Sequence, residues 1–235
     1  MGPSGSEGVK RPEAHHERPE PMRVWLLGSF RVSVGSRTVE GDAWHLRKAA
    51  ALVKLLALSP DHRLHRERAM DLLWPNLGTK AASNNLRQVL YGARRVLDPA
   101  SDSHNRYLSL QDEQLALCPG GDLRVDVDAF EEAVEIVRRS RDPATYQAAI
   151  ELYAGELLPE DRYEEWTEEH RQRLRETHIS LLLGLARLHE VCREYELAVQ
   201  ALRKVLLEEP AREDEDLPQS RGVPTIGYGS GGRAI

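Results

Sequence analysis

The chain has 235 residues, 40% of them hydrophobic and 30% charged, a globular composition with room for two modest cores. It lacks a run of about 18 apolar residues, which excludes a membrane-spanning helix, and its start lacks the apolar stretch of a secretory signal. The net charge of −6 conceals a division: residues 22–120 carry 14 Lys and Arg against 9 Asp and Glu, whereas residues 121–210 carry 12 against 21. A basic half followed by an acidic half points to two domains with different partners, the basic one being the nucleic-acid candidate. Cys118 and Cys192 lie far apart, outside any CxxC pair or metal spacing with His. Both read as buried, reduced thiols of a cytoplasmic protein, with no metal and no cofactor expected.

Residues 1–21 hold four prolines, three glycines and almost nothing apolar, which reads as a disordered leader in which His15 and His16 are simply solvated. Order is expected from Met22. Three short β-favouring runs, ending at Val39, are punctuated by Gly28-Ser29 and Gly35-Ser36. The alternation of Phe30, Val32 and Val34 with Arg31 and Ser33 suggests a small antiparallel sheet with one wet face. Helical spacing then predicts a helix over 47–58, stopped by Ser59-Pro60-Asp61, and a second over 65–73, ended by Trp74-Pro75.

The third helix, over 80–97, is the most informative stretch. On a helical wheel Ala82, Leu86, Val89, Leu90, Ala93, Val96 and Leu97 share one side. Lys80, Asn84, Arg87, Gln88, Tyr91, Arg94 and Arg95 share the other, an arc of roughly 120° without an acidic residue. Guanidinium suits guanine and carboxamides suit adenine, while further cations grip phosphate. The candidate base contacts are therefore Asn84, Arg87, Gln88 and Tyr91. After a polar loop, Arg106–Leu110 and Gln114–Cys118 alternate around Gln111-Asp112-Glu113, which predicts a hairpin. Three helices followed by a hairpin make a winged helix-turn-helix core, although the acidic hairpin tip is a poor match for phosphate.

Beyond Val125 the pattern is helical, over 127–139, 144–153, 163–192 and 195–208, with a possible kink at Gly184. Asp126 and Asp128 suit a helix start, where they cap and complement the dipole. The Glu164-Glu165 and Glu168-Glu169 pairs beside Arg171, Arg173 and Arg175 read as i,i+4 surface pairs rather than a catalytic site. Leu182, Leu185, Ala186, His189, Ala198, Leu202, Val205 and Pro210 fit a tetratricopeptide-type spacing. That pattern needs stacked neighbours, so the last helix would expose Leu197, Ala201, Leu202 and Val205. Residues 211–235, rich in Gly and Pro, read as a disordered tail.

Taken in order, VWLLGSFRV, LRKAAALVKLLAL, RERAMDLLWP, NNLRQVLYGARRVLD and the strands YLSL and LALC resemble the winged-helix DNA-binding domain of OmpR-type regulators. VDVDAF, AIELYAGELLPE, YEEWTEEHRQRLRE and EYELAVQALRKVLLEEP resemble the bacterial transcriptional activator domain that follows it in SARP-type activators. The resemblance implies a fold that is mainly α with small β-sheets. It comprises a winged helix over 22–120 and an all-α, tetratricopeptide-like domain over 121–210, incomplete at its end because the family continues with further helix pairs. It also implies that the third helix enters the major groove and that Arg47, Lys48, Lys80, Arg94, Arg95 and Arg106 contact the DNA backbone. The implied partners are double-stranded DNA, RNA polymerase and a second copy of the chain. The alternative is a module whose winged helix binds protein. An enzyme is not expected, since phosphate-loop, GxSxG and HExxH motifs are absent.

Overall fold

The computed structural model describes residues 20–99 and 106–208. The leader, the loop before the hairpin and the tail anticipated from composition therefore lie outside the described residues, apart from the junction at Glu20 and Pro21. Met22–Trp25 (β1), Arg31–Val34 (β2) and Arg37–Val39 (β3) form an antiparallel meander in which Val24 faces Val32 and Val32 faces Val39. Gly35 turns the chain between β2 and β3 at φ +57°, a left-handed conformation natural to glycine. Ser33 is buried rather than wet, being a small side chain flanked by its cross-strand neighbours Arg23 and Thr38.

Arg47–Leu58 (α1) buries nine consecutive residues, Ala49 to Ala57, and is the central helix of the basic half. Arg63–His65 (β4) precedes Arg66–Leu73 (α2), and Thr79–Leu97 (α3) follows. Leu108–Gln111 (β5) and Gln114–Leu117 (β6) form the expected hairpin, and β4 pairs with β6 to widen it to three strands in the order β4-β6-β5.

Leu123–Val125 (β7) pairs in parallel with β1 and completes a four-stranded sheet, order β3-β2-β1-β7. This strand was not expected, and it carries the chain from the acidic side of the charge division back into the first sheet. Asp126–Val137 (α4), Pro143–Leu152 (α5), Glu165–Val191 (α6) and Tyr195–Glu208 (α7) follow. The helix α6 runs on through Gly184 without a break. A Cβ on Gly184 would lie 2.6 Å from Tyr146 Cε1, so the glycine admits the α5 ring instead of bending the helix.

The acidic half also departs from the surface-pair reading. Arg171 is buried and donates to the carbonyls of Leu157, Leu158 and Asp161, while its pair with Glu168 is i,i+3. Arg173 reaches Glu131 on α4, and Arg175 donates to the Glu208 carbonyl on α7. Arg173 and Arg175 thus join helices, while Arg171 ties α6 to the segment that leads into it as well as to Glu168 on its own helix. Cys118 is buried as expected, but Cys192 is exposed at the end of α6. On α7, Ala201 is buried and Val205 half-buried, whereas Leu197, Val199, Leu202 and Leu206 are exposed. Among the described residues no helix is long and apolar enough to cross a membrane, and no group of acidic, His and Cys residues could hold a metal ion.

Candidate nucleic-acid interface

The inner face of α3 buries Ala82, Leu86, Val89, Leu90, Ala93 and Leu97, with Val96 half-buried. This leaves the opposite ridge outside: Lys80, Asn84, Arg87, Gln88, Tyr91 and Arg95 are all exposed, Tyr91 by 57%. Packing of the helix on α1 therefore fixes which side chains face solvent. The ridge is loosely held. Arg87 Nη1 lies 3.5 Å from Asn84 Oδ1, at the limit of a hydrogen bond. Arg95 donates to the Tyr91 hydroxyl at 3.2 Å, with its guanidinium 5.9 Å from that ring. The start of α3 has Gly78 as its cap and no acidic residue in the first turn, so its N–H groups meet no side-chain acceptor. Such an end attracts anions.

The other expected phosphate contacts divide. Arg47, at the start of α1, is exposed. Lys48 instead faces the acidic half, its ammonium 3.2 Å from a carboxylate oxygen of Glu164. Arg94 is half-buried, donates from Nε to the Leu108 carbonyl at 2.9 Å, and has its pKa lowered by burial; it fastens α3 to the hairpin. Arg106 lies 3.2 Å from Asp98 at the end of α3.

Arg66 escaped the sequence reading. From the start of α2 it donates to Ser83 on α3 at 2.7 Å and pairs with Glu113 on the hairpin tip at 3.1 Å, joining all three parts of the winged helix. Arg63, exposed on β4, adds a cation to the widened hairpin sheet. Neither could be found from helical periodicity, because their positions depend on β4 pairing with β6.

The model of the bacterial transcriptional activator domain matches residues 125–216, which begin at the last residue of β7. Residues 125–216 are thus similar to that domain family. In the chain the matched residues follow the three helices and hairpin of the basic half. No curated protein matches the chain. Among solved structures, the fold is similar to Mycobacterium tuberculosis EmbR, determined in complex with a low-affinity phosphopeptide, with a TM-score of 0.66 at 16% identity. The match covers 82% of this chain and 52% of that one, so the chain spans about half the length of the structure it resembles.

Proposed function

We propose that the chain is a sequence-specific DNA-binding transcriptional activator, with α3 in the major groove and the β5–β6 hairpin against the backbone or minor groove. The observation that carries this reading is the exposed, acid-free ridge of α3 opposite a fully packed face. In it, Asn84, Arg87, Gln88 and Tyr91 read base edges. Arg47, Lys80, Arg95 and the first-turn N–H groups of α3 hold phosphates, joined by Arg63. Lys48, Arg94 and Arg106 belong to the fold instead, because each already has a partner within it. The activator domain supports the transcriptional role, and its partner there is RNA polymerase or a second copy. The protein then works in the cytoplasm, where its DNA is.

Selection of bound sequences from a random duplex pool tests the reading. One motif should be enriched, and its affinity should fall with salt at a log–log slope of about −0.9 per phosphate contact. Arg87→Ala should cost about 1–3 kcal/mol on that motif and much less on unrelated DNA. A pool with no enriched sequence, or affinity indifferent to salt, overturns the proposal.

A further inference from the structure

Behind the outward ridge of α3 lies a cleft of about 470 Å³, walled by β3, the start of α1 and the C-terminal part of α3. Small-molecule sites span roughly 300–1,000 Å³. Val39, Trp44, Leu46 and Val96 give it apolar walls, and Arg37 and Arg95 give it positive charge; no acidic residue is among its described lining.

One feature marks it as more than a packing gap. Trp44 is only 5% exposed and lies 5.6 Å from the Phe30 ring, yet its indole Nε1 has no acceptor among the described residues. A buried donor without an acceptor is costly and uncommon in folded proteins. The α3 wall carries Gly92, a residue disfavoured in mid-helix. A Cβ there would come within 2.9 Å of Leu46 Cδ1, so the glycine lets the Leu46 side chain, itself 46% exposed, lie against α3 at the edge of the cleft.

We propose that the cleft binds a flat aromatic carboxylate. Its rings enter beside Trp44 and Val96 and part the packing over the indole, so that an oxygen accepts the Trp44 Nε1–H, and its charge is met by Arg95. Arg37 contributes positive charge while donating to the Leu97 carbonyl at 2.6 Å. Arg95 couples the cleft to the outer ridge, because it lines the cleft and also donates to Tyr91. A carboxylate that draws Arg95 inward takes a cation from the phosphate contacts, so the ligand weakens DNA binding. By reciprocity, DNA weakens the ligand. This coupling, unlike the binding itself, rests on the DNA-binding reading above.

The test uses the full chain, ¹⁵N-labelled and titrated with anthracene-2-carboxylate. The chain has four tryptophans, and the indole signal missing from Trp44→Phe identifies Trp44. That signal should move downfield on titration. Ala43→Leu, which fills the cleft from its exposed edge, should weaken binding at least about tenfold, a change of about 1.4 kcal/mol. The neutral anthracene-2-carboxamide should bind more weakly than the carboxylate. At saturation the acid should raise the Kd for the selected duplex at least about fivefold. A Trp44 signal that stays put up to about 1 mM acid, undiminished binding by Ala43→Leu, or equal affinity for the carboxamide overturns the site. DNA affinity unchanged at saturation overturns the coupling. A chain that binds no duplex at all refutes the DNA-binding reading, and the Trp44 titration then still decides the site.

Discussion

Tyr153 stacks on His178 with 4.2 Å between ring centroids, and the imidazole is buried with Nδ1 unpartnered among the described residues. Burial first and Lys204 second push its pKa down to about 4, so at neutral pH it is uncharged and Glu208, 3.8 Å away, has no cation to pair with. The unfolded chain takes up this proton near pH 6.5 and the folded one only near pH 4. Stability from this site is therefore complete above pH 6.5 and falls as the pH drops towards 4. His178→Phe should remove about 2 kcal/mol of the loss between pH 7 and pH 5, read from urea midpoints at the two pH values. His62 works in the opposite sense. Its hydrogen bond to Asp128, 3.2 Å away across the two halves, raises its pKa above 6.5 despite partial burial. That contribution is present below pH 6.5 and is lost as the pH rises through the raised value. His62→Gln should accordingly flatten the alkaline side of the profile and leave the acid side alone.

The hairpin turns through Asp112 and Glu113, both at positive φ, +48° and +64°. Two consecutive left-handed residues make the turn that matches strand twist, and Asn-Gly fills it with least strain. Asp112→Asn with Glu113→Gly should stabilise the chain by about 0.4–1 kcal/mol, since the exposed Glu113–Arg66 pair it sacrifices is worth little. Removing two carboxylates from the wing should also raise DNA affinity at low salt, and a decrease would place the tip against a cation of the protein or partner. This hairpin and all seven helices were legible in the sequence because each repeats its pattern within itself: α3 separates its faces over 19 residues. Strands β4 and β7 were not, having three residues each and no period, and existing only through distant partners, Leu115 for Leu64 and Val24 for Val125. The same applies to the site. The exposed ridge followed from periodicity, whereas the partners of Lys48 and Arg94, Glu164 and the Leu108 carbonyl, are brought to them only by the fold.

At the scale of the molecule, the charge division does not become a division of the core: one cluster of buried residues runs from Val24 and Leu52 through Leu86 to Phe130, Leu157 and Leu174. Polar ties cross the same boundary. Lys54, buried in α1 and 4.5 Å from the centre of the Phe30 ring, pairs with Asp161. Leu158 N donates to the Leu26 carbonyl at 2.9 Å, and Gly28 passes Gly155 closely enough that a Cβ on the latter would lie 3.1 Å from the Gly28 Cα. The tightest clasp is Asp126. Its carboxylate accepts from Leu26 N, Leu27 N and Val127 N, each at 2.9 Å, while burial raises its pKa against those donors. It was expected to cap its own helix, and it does hold Val127 N, but its other two bonds fasten the winged helix to the activator domain. Asp126→Ala strands three amides, those of the nearly inaccessible Leu26, Leu27 and Val127, a loss of at least about 3 kcal/mol in total, whereas Asp126→Asn keeps one acceptor and should lose less. Because the core is shared, both halves should respond together. In a Trp166→Phe background the remaining tryptophans, Trp25, Trp44 and Trp74, report only on the winged helix, while far-UV dichroism is dominated by the helices of both halves. Urea melts followed by the two signals should coincide and shift by the same amount in Asp126→Ala. Two separated transitions, with only one of them moved, would mean that the winged helix and the activator domain fold as independent bodies.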